Sequence, residues 1–255
     1  MTRDARPPTL SADASGAPAA VAHPPGGAGH HGPGGRLPHA GLLIVAGQVL
    51  LMVLAPALDD GGNRVPPTVF AAAMAVSVLT VRALGHRRLA LTLAAVCGLA
   101  LAWIVASHHA LLAARLPGTL TLIAAYSVAA VLCVRTAFAG GLSTAQRILC
   151  GAACYLMVGV VFAIVHALVG IADDSAYAFA DTAGVARARR WIDSFWMSFS
   201  LLTTAGFSEL EPAGKWGYLV AMLESVCGVL FPATLIARIA SLPTPPPGPG
   251  GHRTT

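Results

Sequence analysis

The stretch Thr203-Thr204-Ala205-Gly206-Phe207-Ser208-Glu209, followed by Glu211 and Pro212, concentrates hydroxyls, a glycine and two carboxylates between apolar runs of a 255-residue chain. Several chains that bring such a stretch to a common axis can offer rings of backbone carbonyls in place of the water shell of a small cation. Thr204 would add a hydroxyl at the inner end. Gly206 would give the backbone freedom that alternating left- and right-handed conformations require. Glu209 and Glu211 would form acidic rings that concentrate cations, or would simply be solvated loop charges. One more carboxylate, Glu224, lies inside an apolar run, about 12 Å along a helix from Trp216. An acid at membrane depth is a functional candidate. Its simplest role is a hydrogen bond to the back of the loop or to the helix before it.

The elements that would hold these groups belong in a bilayer. Hydrophobic residues make up 56% of the chain and charged ones 11%, whereas about a quarter of a soluble domain is charged. Apolar runs cover 40–58, 65–81, 89–107, 117–134, 148–171 and 216–242, each near or above the roughly 17 residues that cross the hydrocarbon core as a helix. Residues 192–202 are different. They make a helix of about 16 Å, roughly half the core thickness, so they enter the membrane without crossing it. The polar 203–209 must then climb back out, and irregular backbone at that depth survives only inside protein or against a water-filled cavity. The expected fold is an all-α integral membrane protein with six transmembrane helices, plus a re-entrant pore helix and loop between the fifth and sixth.

Basic residues set the orientation. Arg36, Arg82, Arg87, Arg88, Arg135 and Arg147 fall on the side of the amino terminus, against Arg64 and Arg115 in the first and third loops. Both termini are therefore expected in the cytoplasm. Asp59, Asp60, Asp173, Asp174 and Asp181 fall on the other side. The formal charge of +5 then serves orientation and lipid contact, and no nucleic-acid partner is expected. The fourth run holds arginine only at its ends, so voltage sensing is not expected. The Pro/Gly/His-rich residues 1–39 show no signal-peptide core and read as an unstructured cytoplasmic tail, as do 243–255. His23, His30, His31 and His39 fit no metal-ligand spacing, and no metal beyond a permeating cation is expected. Cys97, Cys133, Cys150, Cys154 and Cys227 read as small buried hydrophobes.

Residues 148–242 resemble the two-helix pore module of the prokaryotic potassium channel family. That family carries a pore helix, TTVGYGD, a nearby proline and an inner helix, and the corresponding residues here run from Thr203 to Glu209 and then Pro212. In AMLESVCGVLFPATLIARI, Leu223, Glu224, Gly228, Ala237 and Arg238 continue the likeness. The resemblance implies a homotetramer, an ion-binding selectivity filter at Thr203, Thr204, Ala205, Gly206, Phe207 and Ser208, permeating K+ and no other cofactor. It also implies a gating hinge at Gly228, and Trp196 aligns with an aromatic of the family's cuff. Pro232 removes a backbone donor four residues later and marks a gate or a static kink. Residues 40–135 lie outside the resemblance. Trp191 and Trp216 read as interfacial anchors, and Arg238 as a snorkelling one.

Ala205, Phe207 and Ser208 depart from the family's Val, Tyr and Gly. Serine at a left-handed position would cost about 1–2 kcal/mol per subunit. Otherwise the outer ion site is lost, which leaves potassium selectivity, a non-selective cation pore and a non-conducting scaffold open. An enzyme is not expected: His108, His109, His166, Asp59 and Asp60 form no catalytic motif. A transporter would need a second copy of the broken segment. With Lys215 alone against fifteen arginines, the chain looks bacterial, in the cell membrane.

Overall fold

The computed structural model describes residues 37–59, 65–107, 112–138, 143–179 and 188–241, leaving aside the side chains of 37–40 and 112–115. Among them are seven α-helices: α1 (Leu37–Ala57), α2 (Pro67–Ala83), α3 (Arg87–Ala106), α4 (Leu112–Phe138), α5 (Thr144–Ala172), α6 (Trp191–Leu202) and α7 (Lys215–Ala240). Their starts follow local chemistry. Pro67 opens α2, where its missing N–H would be unpaired anyway. Ser143 and Gln146 form a reciprocal capping box at α5.

Among the described residues, four helical segments are long and apolar enough to cross a membrane: Arg87–Ala106, Leu116–Phe138, Thr144–Ala172 and Lys215–Ala240. Gly41–Ala57 and Pro67–Ala83 are apolar but shorter. Seventeen helical residues reach about 26 Å, just short of a typical core. α5 is the hub, packing against α1, α4, α6 and α7. One apolar core runs from Ile44 of α1 through Met74, Ile104, Tyr126 and Met157 to Phe199 of α6. Four cysteines are buried, but Cys227 is exposed on α7, which corrects its reading as a buried hydrophobe.

The all-α expectation also needs a correction. A 3-10 turn, Asp174–Ala176, leads into the short strand β1 (Tyr177–Phe179), which pairs antiparallel with β2 (Leu210–Pro212) in the register Ala178 to Glu211. This two-stranded clip joins the segment before α6 to the segment after the 203–209 loop. Three residues per strand give almost no alternation to read from sequence. Arg36, Asp60, Arg64, His108, His109, Asp181, His23, His30, His31 and the tail 243–255 lie outside the described residues, as do the side chains of His39 and Arg115.

Candidate functional site

α6 is a 12-residue helix, about 18 Å long. At its start the Arg190 N–H donates to Asp193 Oδ2 at 2.8 Å, and the Arg190 guanidinium lies 3.3 Å from Asp59 Oδ2 at the end of α1. At its finish every one of the last carbonyls finds a donor. Phe199 accepts from the Thr203 N–H and hydroxyl, Ser200 from the N–H groups of Ala205 and Gly206, and Leu201 from Thr204. Leu202 accepts from the Tyr155 hydroxyl of α5 at 2.6 Å. The helix end is thereby closed without using a single carbonyl of the loop that follows.

That loop leaves its own acceptors free. Among the described residues, no donor reaches the carbonyl oxygens of Thr203, Thr204, Ala205 or Gly206. Thr204 has φ +58° and Gly206 has φ +72°, so left-handed residues alternate with Ala205 between them. A β-branched residue at positive φ is rare and strained, and such strain persists where surrounding structure enforces it, commonly at functional sites. All five residues from Thr203 to Phe207 are exposed. The loop therefore presents bare peptide oxygens to whatever lies beside it.

Residues 158–244 match the family model described as ion channel. The match supports an ion channel pore domain, and hence a membrane protein, and it holds α6, the 203–209 loop and α7. α1 to α4 lie outside it. No curated protein and no solved structure matches the chain.

In the matched region Ser208 departs from the expected strain. It does not take a positive φ. Its hydroxyl instead accepts the Leu210 N–H at 3.2 Å, a local turn bond that serine favours over a left-handed backbone. The backbone alternation therefore stops after Gly206, and the strained non-glycine residue is Thr204. Trp196 reaches the same loop: its Nε1–H makes a long 3.4 Å contact to the Phe207 carbonyl, and the two rings lie 5.9 Å apart.

Behind α6 lies a buried polar cluster. Glu224 is fully buried, with Oε2 2.8 Å from His166 Nε2 of α5 and Oε1 2.5 Å from Ser198 Oγ of α6. Ser198 Oγ is also 2.9 Å from the Gly159 carbonyl of α5, and His166 Nδ1 is 2.6 Å from the Tyr177 hydroxyl of β1. Burial raises the Tyr177 phenol above its ordinary value, with the nearby Arg189 guanidinium opposing, so it stays an O–H donor. Sequence reading places Glu224 here but misses His166 as its partner and Tyr177 as the partner of His166. The sole local signal is a histidine in the apolar run of α5, 58 residues from Glu224.

Helix α7 buries the stripe Gly217, Ala221, Glu224 and Gly228, a helical spacing that faces α5 and α6. A Cβ on Gly228 would run into the Leu202 carbonyl, so this glycine permits close approach of α7 to the end of α6. α7 continues through Gly228 and Pro232 to Ala240, and Pro232 leaves the Gly228 carbonyl without its helical donor. Glu209 is exposed beside the loop, and Glu211 is exposed on β2.

Two of the aspartates grouped together from sequence have basic neighbours. Asp59 pairs with Arg190, and Asp174 lies 3.7 Å from Arg189. These arginines fall outside the count of basic residues that sets the orientation, and the acids beside them offset their charge. Trp191 is buried against Ala55 and Val69, which corrects its reading as an interfacial anchor. Trp216 is half exposed under Lys215.

Proposed function

We propose that four copies of this chain surround one pore and that residues 203–208 conduct potassium ions across the cell membrane. On this reading all six apolar runs span, the 191–209 segment is re-entrant, both termini face the cytoplasm and no voltage sensor is present. The carrying observation is the row of unpaired carbonyls from Thr203 to Gly206, in alternating backbone hand, directly after a half-length helix. Such groups need an ion, water or protein partner at membrane depth. Tetrameric assembly is supported by the exposure of this polar loop on a single chain, since its bare carbonyls need partners or water at membrane depth.

Purified protein in liposomes is expected to pass rubidium, and to discriminate potassium from sodium by reversal potential in bilayers. No flux across changes of pH, voltage and tension would favour a non-conducting scaffold. A non-selective cation pore is the second reading, favoured by the turned-away hydroxyl and ordinary backbone of Ser208. Ser208→Gly frees that position to continue the alternation, at a saving of about 1–2 kcal/mol. The expected result is a rise in potassium-over-sodium permeability of about tenfold, the factor worth about 1.4 kcal/mol. An unchanged reversal potential would remove Ser208 as the limit on selectivity.

A further inference from the structure

The cluster behind α6 has a definite proton arithmetic. Ser198 owns one hydroxyl proton but has two oxygens within bonding distance, the Gly159 carbonyl at 2.9 Å and Glu224 Oε1 at 2.5 Å. A carbonyl can only accept. When Ser198 donates to Gly159, the Oε1 contact is a bond only if Glu224 brings its own proton. Glu224 Oε2 then accepts from His166 Nε2–H at 2.8 Å, which leaves Nδ1 as an acceptor for the Tyr177 hydroxyl at 2.6 Å. Four hydrogens fill four bonds in one direction, from Tyr177 through His166, Glu224 and Ser198 to Gly159, and every member is neutral.

The charged alternative fits worse. An ionised Glu224 would take the Ser198 proton and leave Ser198 Oγ facing the Gly159 carbonyl with no hydrogen between them. A protonated His166 would turn its Nδ1–H onto Tyr177, whose own proton then has no acceptor. His166 and Glu224 are both fully buried, where an uncompensated charge or polar group is costly. The other titratable groups nearby are Tyr155 on α5, which bonds Leu202, and Arg189, which lies 5.9 Å from the centre of the Tyr177 ring.

We propose that Tyr177, His166, Glu224 and Ser198 form a neutral, one-way hydrogen-bond wire, with a proton on Glu224, that positions α6 against α5 and α7 and ties it to the β1–β2 clip. His166 and Tyr177 are thus positioning residues for the loop, an assignment that rests on the pore reading for its effect on ions. Infrared spectra of the full chain in lipid at neutral pH are expected to show the C=O stretch of a protonated carboxylic acid. That band should vanish in Glu224→Gln, shift in His166→Phe and persist in Asp174→Asn, whose carboxylate is exposed.

In Glu224→Gln the new side-chain amide can offer N–H to Ser198 and its carbonyl to His166, whereas leucine leaves both partners unpaired. Rubidium flux through Glu224→Gln should therefore exceed that through Glu224→Leu by about tenfold. Absence of the acid band in the wild type overturns the proposal, even if the leucine variant fails to fold. Equal flux through the glutamine and leucine variants overturns the positioning role. A wild-type band with no ion flux in any preparation sinks the pore reading and supports the wire as a helix clamp.

Discussion

Gly228→Val is expected to separate α7 from α6 and to abolish both thermal stability and ion flux. Even the first added carbon meets the Leu202 carbonyl, which is backbone and cannot swing aside. Overpacking in a core costs about 1–3 kcal/mol and more where backbone must move. The displaced group is also the last carbonyl of α6, whose bond from Tyr155 would be strained in the same step. Gly98→Ala, in α3 with nothing within 4 Å of the added carbon, is the control: it should leave the melting temperature equal or slightly higher, because alanine is the better helix former. A Gly228→Val protein that melts like the wild type would contradict the packing described for α6 and α7.

Gly206→Ala is expected to have the opposite signature, with flux lost and the fold retained. Space around Gly206 is open, so the obstacle is its φ of +72°. An L side chain there costs about 1–2 kcal/mol, and the backbone relaxes by turning a peptide plane and taking a carbonyl out of the row. Since no core contact depends on Gly206, the melting temperature should move little. Normal current through this variant would remove Gly206 from the ion path.

Sequence alone reveals the elements whose physics is local. Helix limits follow apolar runs, and the shortness of α6 is visible as eleven largely apolar residues followed by TTAGFSE. The need for positive φ is legible at Gly206 but not at Thr204, because a threonine is forced there by the ladder from Ser200 and Leu201 rather than by its own preference. Ser208 shows the reverse. Alignment with a glycine suggests strain, while the Leu210 N–H gives the serine an easier conformation. Contacts between distant segments leave no periodic trace, which is why His166 with Tyr177, Tyr155 with Leu202 and Arg190 with Asp59 appear only once the chain is folded.

The row of bare carbonyls also bears on how the protein exists in a bilayer. On the proposed re-entrant pore, an isolated protomer would have to expose Thr203, Thr204, Ala205 and Gly206 oxygens to hydrocarbon, at a cost of several kcal/mol for each unsatisfied group. Neighbouring protomers enclosing a hydrated lumen remove that cost. In such a tetramer the loop would be subject to mass action: its population would depend on the surface density of chains, so folding and association would form a single equilibrium.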